Sequence, residues 1–572
     1  VETVATVLTE VVADAALRLG HGGVLNEIEA AIPTSDPQFG DYQSNHAFRL
    51  GKALKQNPRA VAEAVRQAIA PHPAIASTSV AGPGFLNFRL DDGWLAAHLS
   101  DLAADAHRGI AQTGAGKTIV IDYSAPNVAK RMHIGHMRST FIGSALCALY
   151  GAAGWKTIGD NHIGDWGTQF GKLIVAWRRW LDRDAYDADP IGELERLYVK
   201  FADEATPELD DAARAETAKL QSGDPENRAL WQQFIAVSMA EFNRVYERLG
   251  VKFDVVLGES AYNEALPGIV RDLVAAGIAI VSDGATVVKF GADAGAGLAD
   301  TVLVIQKQDG AYLYGTSDLA TIEHRVRTWN PDKIVYVVDT RQQLHFRQVF
   351  HTWHRWRQRE LEMVHCWFGF LKFGDSIMAS RGGNIVRFVD LLDEAQRRAR
   401  EVVDNKSGEL PESERAVIAE AVGTSAVRYA DLSQNPQSDV TFDWDRMLSL
   451  DGNTAPYLLY SYARCRSIQR KGGIASPSTR GVALTVPEER ALALQLVHFP
   501  EAVAAALEHH RPNLLCDHLF ATANALNRFY AECPVLSAEP AVREARLALV
   551  EATARVLERG LEILGIPALA RM

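Results

Sequence analysis

The stretch TIVIDYSAPNVAKRMHIGHMRSTFIGSALCALYGAAGW, residues 118–155, decides the fold. Residues 118–125 form an apolar, β-branched run bounded by a proline, the pattern of a buried strand. From Met137 onward the apolar period changes. Ile142, Ala145, Leu146 and Leu149 fall on one helical face. A strand that feeds a turn and then a helix begins a nucleotide-binding α/β sheet. The turn is Ser124-Ala-Pro-Asn-Val-Ala-Lys-Arg-Met-His-Ile-Gly-His136. Backbone N–H groups at a helix start favour anions. His133 and His136 can donate hydrogen bonds to phosphate oxygens there, and Lys130 adds a cation on the same turn. Gly135 lets a base or ribose approach the backbone closely. Neither an acid nor a cysteine at zinc spacing accompanies the two histidines, so no structural zinc is expected. Gly116-Lys117-Thr118 imitates the end of a phosphate-binding P-loop. However, Ala111 stands where that motif needs glycine, and the segment precedes a strand rather than a helix.

Outward from this core the chain divides into three. Residues 1–112 read as a small α/β module: an amphipathic first helix, the turn-rich loop SDPQFGDYQ, a helix in NHAFRLGKALKQ, a second helix and the strand GPGFLNFRL. Asn57-Pro58 reads as an N-cap with proline at the first helical position. Residues 113–440 hold the nucleotide-binding region, with further strand-like runs at TVLVIQ (301–306) and KIVYVVD (333–339). Within it, residues 183–250 are charged and helical, an insertion. Residues 441–572 are an all-α bundle. Leu547, Val550, Ala554, Leu557, Leu561 and Leu564 stripe the last helix, and Gly565 and Pro567 stop it.

The 572 residues, 47% hydrophobic and 23% charged, suit an ordinary globular protein. At ~100–200 residues per domain the length suggests three or four domains. The net charge of −12 argues against nonspecific polyanion binding but leaves room for a local basic face. Residues 1–20, with Glu2, Glu10 and Asp14, do not read as a secretory signal, and no long uninterrupted apolar run predicts a membrane span. Cys147, Cys366, Cys465, Cys516 and Cys533 are odd in number, widely spaced and without a CxxC pair. Reduced thiols in a cytoplasmic protein are expected.

His133-Ile-Gly-His136 after a strand resembles the nucleotide signature of class I aminoacyl-tRNA synthetases, and SAPNVAKRMHIGHMRST resembles its arginyl version. Other segments resemble that family in collinear order. They are PQFGDYQSN, GPGFLNFRL, GDWGTQFG, LGES, GAYLYGTSDLATIEHR, YVVDTRQQLHF, VRFVDLLDEA, RYADLSQN, DGNTAPYLLYSYAR and the terminal LGIPALARM. The resemblance covers nearly the whole chain. It implies a Rossmann-like class I catalytic domain with helical insertions, an α/β N-terminal domain and a helical anticodon-binding bundle. It also implies ATP-dependent ligation of L-arginine to tRNA(Arg) through an arginyl-adenylate, with Mg2+ accompanying the nucleotide and a monomeric, membrane-free, cytoplasmic enzyme.

Site residues follow from the same resemblance. His133, Gly135, His136 and Lys130 bind ATP. Met378, Ser380 and Arg381 belong to the mobile second signature. There Gly382 replaces the family's usual lysine, and Lys130 stands where some arginyl enzymes carry a compensating one. A guanidinium is planar, charged and forked, so a selective pocket needs carboxylates and an aromatic face. The resemblance supplies Glu259, Tyr314, Asp318 and Gln342, with Asn127 and His136 at the α-amino or carboxylate end and Asp122 nearby. For tRNA it supplies Phe39, Tyr42 and Gln43 in the N-terminal module. In the bundle, Tyr457, Arg464 and Arg466 lie among Tyr460, Tyr462, Arg470 and Lys471, aromatics and cations that suit an RNA loop. Activation is expected to require tRNA. Two other readings stay open on the residues: a paralogue that activates arginine for another acceptor, and a catalytically inactive RNA-binding regulator.

Overall fold

The computed structural model describes residues 1–295, 297–373, 376–377, 387–406, 408–474 and 477–572. Met378, Ser380 and Arg381 lie outside the described residues. The chain forms two compact units. One comprises residues 113–401 and 426–447, the other residues 1–112, 402–425 and 448–572.

The first unit is built on a five-stranded parallel sheet. Its strands are β1 (Thr118–Asp122), β2 (Lys156–Asn161), β3 (Val255–Val256), β4 (Lys333–Tyr336) and β5 (Glu362–His365), in the order β5-β4-β1-β2-β3. Ile119, Val120 and Ile121 are buried without alternation, as a central parallel strand requires. Three helices matter for the site: α1 (Ile134–Ala152), α2 (Tyr314–Trp329) and α3 (Gln343–Arg357). The chain builds β2 and β3 on one side of β1, then returns to build β4 and β5 on the other. The strand order therefore reverses at the carboxyl ends of β1 and β4, where open α/β sheets place their ligands.

Of the two further strand-like runs, only Lys333–Tyr336 joins this sheet. Val302–Gln306 pairs with Ala285–Lys289 in a separate antiparallel sheet of three strands. Residues 183–250 form the expected helical insertion, Arg183–Ala188, Pro190–Asp203, Pro207–Gln221 and Pro225–Leu249. Asp182, Asp189, Thr206 and Asp224 cap its helices, and proline follows the last three caps at the first helical position. Leu194, Phe201 and Phe234 join Phe170, Leu173 and Trp177 in a core shared with the preceding helix.

In the second unit, a four-stranded antiparallel sheet (Ile32–Pro33, Tyr42–Ser44, Phe85–Leu90, Ile75–Ala81) carries the N-terminal helices. Asn57 caps its helix as expected, accepting from the N–H groups of Arg59 and Ala60. The last helix, Pro540–Ile563, buries Val550, Ala554, Leu557 and Leu561, and Gly565 ends it in the left-handed region. Among the described residues, Pro487–Glu508 is long and apolar enough by composition to cross a membrane. Here it is two helices, Pro487–Val497 and Phe499–Glu508, and two of its charged residues form ion pairs. Arg490 bridges Asp41 at 2.7 Å, and Glu489 bridges Arg546 at 2.7 Å.

Candidate active site

The turn after β1 is backbone under strain. Ser124, Ala125 and Ala129 all have left-handed φ, at 74°, 47° and 64°. Each such residue costs on the order of 1 kcal/mol or more, so neighbours must enforce it. They do. Ser124 N–H donates to Ser139 Oγ at 2.9 Å, Ala125 N–H to Asn161 Oδ1 at 3.1 Å and Ala129 N–H to Ser238 Oγ at 2.8 Å. Val128 N–H and Gly164 C=O close the other side at 3.1 Å. A Cβ at Gly164 would lie 2.3 Å from Asn127 Oδ1, so only glycine lets Asn127 seat there.

His133 caps α1. Its Nδ1 accepts from Gly135 N–H at 3.0 Å, while its own N–H donates to Nδ1 of His136 at 3.3 Å. The rings lie 4.0 Å apart. Both Nδ1 atoms are acceptors, which places the proton of each neutral ring on Nε2. Burial, reinforced by the other ring and by Lys130, pushes His136 down to about 3; burial and Lys130 lower His133 as well. The helix start thus presents neutral Nε2–H donors.

These histidines open into a cavity of about 310 Å³ at the strand-order reversal. Its walls are Ser124, Ala125, Asn127, His133–His136, Arg138, Ser139, Val337–Asp339, Arg341, Gln342 and Phe368–Leu371. The structure therefore brings together Asn127, His133, Gly135, His136 and Gln342. Lys130 is not a wall residue. Its ammonium rests 4.1 Å from the centre of the Tyr198 ring. Arg138 is a wall residue that sequence reasoning missed. It is wholly buried, donates to Asp431 Oδ1 at 2.7 Å and to Gly369 C=O at 2.7 Å, and so joins α1 to the opposite wall. A lone arginine on an otherwise apolar helix was its available signal.

A second cluster surrounds the residues expected to bind a guanidinium. Glu259 opens the short 3-10 helix Glu259–Ala265, and its N–H donates to Ile163 C=O at 3.2 Å. Asp165 accepts from Ser260 N–H at 2.8 Å and from Ser260 Oγ at 2.6 Å. Burial, then the charges of Asp165 and Asp318, raise Glu259 to about 7. Asp318 lies on α2 with Tyr314, a residue 72% exposed. Asp122 departs from its expected role. Arg325, fully buried on α2, bridges Asp122 at 2.6 Å and Asp160 at 2.8 Å, so that carboxylate is already engaged. A salt bridge between a helix and two strand ends leaves no periodic signature, which is why it was missed.

The tRNA candidates separate by burial. Phe39 is 49% exposed. Tyr42 is wholly buried and its hydroxyl donates to Glu501 at 2.9 Å, so it belongs to the core rather than to a contact face. Gln43 is half-buried against Asn45. Arg466 is likewise internal, bridging Glu551 at 2.8 Å and Glu558 at 3.3 Å, and it accompanies buried Tyr462. Tyr457 is held by Asn524 at 2.7 Å. Arg464 instead lies between the exposed rings of Tyr460 and Tyr530, 4.8 and 5.0 Å from their centres. All three line a basic cavity of about 410 Å³ with Arg470, Lys471 and Arg571. Tyr530 was not anticipated, since it comes from a different helix.

Comparison with known proteins agrees along the chain. Residues 98–444 match the profile of the class I (R) tRNA synthetase catalytic domain, residues 2–90 that of the arginyl tRNA synthetase N-terminal domain and residues 458–572 that of the DALR anticodon-binding domain. The chain is 45% identical to an arginine–tRNA ligase of Fusobacterium nucleatum over 557 residues, covering 96% of each. It is 43% identical to that of Chloroflexus aggregans, covering 95% of each. Its fold matches arginyl-tRNA synthetases of Plasmodium falciparum (TM-score 0.85, 24% identity, covering 100% of this chain and 99% of that one) and Thermus thermophilus (TM-score 0.83, 24% identity, covering 100% of each). Strand order, histidine-capped helix and full-length similarity converge on one conclusion: the chain belongs to the arginyl-tRNA synthetases, the class I synthetases of arginine.

Proposed function

We propose that the chain ligates L-arginine to tRNA(Arg) with ATP, through an arginyl-adenylate, releasing pyrophosphate and then AMP. The observation that carries this is the pair of Nε2–H donors of His133 and His136 at the start of α1, opening into the cavity where the strand order reverses. In the first step an arginine carboxylate oxygen attacks the α-phosphorus in line and pyrophosphate leaves. Negative charge spreads over phosphate oxygens, and preset donors stabilise it without reorganising. The two imidazoles serve that charge, Gly135 leaves room for adenosine, Lys130 and Arg381 are assigned as the phosphate cations, and Met378 and Ser380 are assigned to ATP binding. Mg2+ is taken as the nucleotide's own counter-ion, where it would shield the triphosphate.

Glu259, Asp318, Tyr314 and Gln342 are assigned to the guanidinium, and Asn127 and His136 to the α-amino and carboxylate end. Two carboxylates placed for a planar fork discriminate against lysine's point charge. In the second step a ribose hydroxyl of the tRNA terminus attacks the adenylate carbonyl and AMP leaves. Residues 441–572 are assigned to the anticodon, with Arg464, Tyr460 and Tyr530 as contacts, and residues 1–112 to the D-loop through Phe39. The catalytic region is taken as residues 113–440, and the enzyme as a cytoplasmic monomer that works without a membrane.

Charging of purified tRNA with each of the twenty amino acids tests this reading. Arginine alone should be transferred, and ATP–pyrophosphate exchange should depend on tRNA. Adenylate formation without charged tRNA would point to another acceptor, and RNA binding without any ATP turnover to a regulator.

A further inference from the structure

His345 has no role in the scheme above, yet it makes the one side-chain hydrogen bond that Asp318 has among the described residues. Its Nε2 lies 2.5 Å from Asp318 Oδ2. The two residues come from different elements, Asp318 from near the start of α2 and His345 from the first turn of α3. A single 3-10 turn, Thr340–Gln342, runs directly into α3, so Gln342 and His345 are three residues apart on neighbouring positions of one helical surface. That turn is itself held. Asp339 accepts from Arg341 N–H at 2.9 Å, and Gln343 Nε2 donates to Thr340 Oγ1 at 2.7 Å. The His345 ring packs against Phe346 with centres 5.4 Å apart.

A carboxylate that is to receive a guanidinium must be fixed in plane and must keep an oxygen open. An imidazole N–H meets both conditions, because it engages one oxygen and leaves the other open. We infer that His345 is a positioning residue for arginine: it holds the Asp318 carboxylate through Oδ2, leaves Oδ1 for the guanidinium, and ties Asp318 to the turn that carries Gln342. The inference rests on the reading of Asp318 as a guanidinium contact.

The test is steady-state aminoacylation by the full chain and by the variants His345→Ala, His345→Gln, Asp318→Asn and the Ala/Asn double variant. Glutamine can place its amide nitrogen close to where the imidazole Nε2 lies. His345→Ala should raise the arginine KM ~10-fold or more, with kcat and the ATP KM within ~3-fold of wild type. His345→Gln should recover most of the loss, and the double variant should be little worse than Asp318→Asn, because one interaction is removed twice. An unchanged arginine KM in Asp318→Asn would overturn the pocket assignment and this inference with it. A raised KM in Asp318→Asn but not in His345→Ala would overturn the inference alone. So would a lowered KM in His345→Ala, which marks a competitor of the substrate, or failure of glutamine to rescue, which marks a packing role.

Discussion

The N–H of His133 is bonded to Nδ1 of His136, three residues on, at 3.3 Å, so the second imidazole of the pair is oriented by the backbone of the first. Each ring spends one nitrogen on the helix start and has the other for a ligand. The two functions can be separated by substitution. Asparagine at 133 can keep a cap acceptor near the position of Nδ1 but has nothing at Nε2. His133→Asn should therefore leave stability within ~1 kcal/mol of wild type while lowering kcat by ~100-fold or more, the scale of a lost transition-state donor. Urea unfolding and aminoacylation rates on the same preparation check both halves. A variant that loses stability and activity together would assign His133 to the cap alone.

Arginine binding should depend on pH through Glu259, whose carboxyl is raised to about 7 by burial and by Asp165 and Asp318. The guanidinium favours the ionised form, so below pH 7 binding must expel a proton. The arginine KM should rise as pH falls from 8 to 6, by ~10-fold for a single proton. Glu259→Gln should have a higher KM throughout and a flatter profile. His136, at about 3, does not titrate in this window. A profile in Glu259→Gln that keeps the wild-type slope would assign the proton elsewhere.

Arg325 closes a buried triad with Asp122 and Asp160, joining α2 to the ends of β1 and β2. Removing the cation leaves two facing carboxylates in a dry interior. Arg325→Met should cost ~3–5 kcal/mol, the range for breaking a buried ion pair from one side. Urea unfolding followed by tryptophan fluorescence measures it. A loss under ~1 kcal/mol would mean that water or relaxation compensates the pair.

Much of this architecture was legible in the chain. The change of period from Ile119–Ile121 to Ile142–Leu149 marks β1 and α1, and the Asn57-Pro58 cap follows from local chemistry alone. Residue pairs set by long-range packing were not legible. Val302–Gln306 has a strand's composition whether it joins the parallel sheet or, as found, an antiparallel one. Tyr42 sits in a turn-rich segment whose composition suggests exposure, but its neighbours across the sheet and Glu501 bury it. Tyr457, Tyr460 and Tyr462 share a helix, so only packing reveals that Tyr460 faces out and Tyr462 in. Asp122 fits a cation site in sequence terms, and the cation it holds is the chain's own Arg325.

The bundle offers a comparison between two arginines two residues apart. Arg464 lies between exposed rings in the basic cavity, whereas Arg466 is tied to Glu551 and Glu558. Arg464→Ala should weaken tRNA binding and reduce the slope of log affinity against log salt by ~1, with little change in stability. Arg466→Ala should instead destabilise the bundle by ~1–2 kcal/mol, because the buried Glu551 loses its charged partner on Oε2 and keeps only Gln469 there, with Arg555 on Oε1. Filter binding across a salt series and thermal unfolding distinguish the two. Equal effects of both variants on the salt slope would place Arg466 at the RNA as well.

The central claim is that the strained turn of residues 124–136 grips the nucleotide while Glu259 and Asp318 take the guanidinium. A crystal structure with arginine and a non-hydrolysable ATP analogue tests it most directly. The account predicts phosphate oxygens within hydrogen-bonding distance of Nε2 of His133 and His136, and the guanidinium against Glu259 and Asp318 with Oδ2 of Asp318 still on His345. A nucleotide seated away from the two imidazoles, or a guanidinium bound elsewhere, would contradict it.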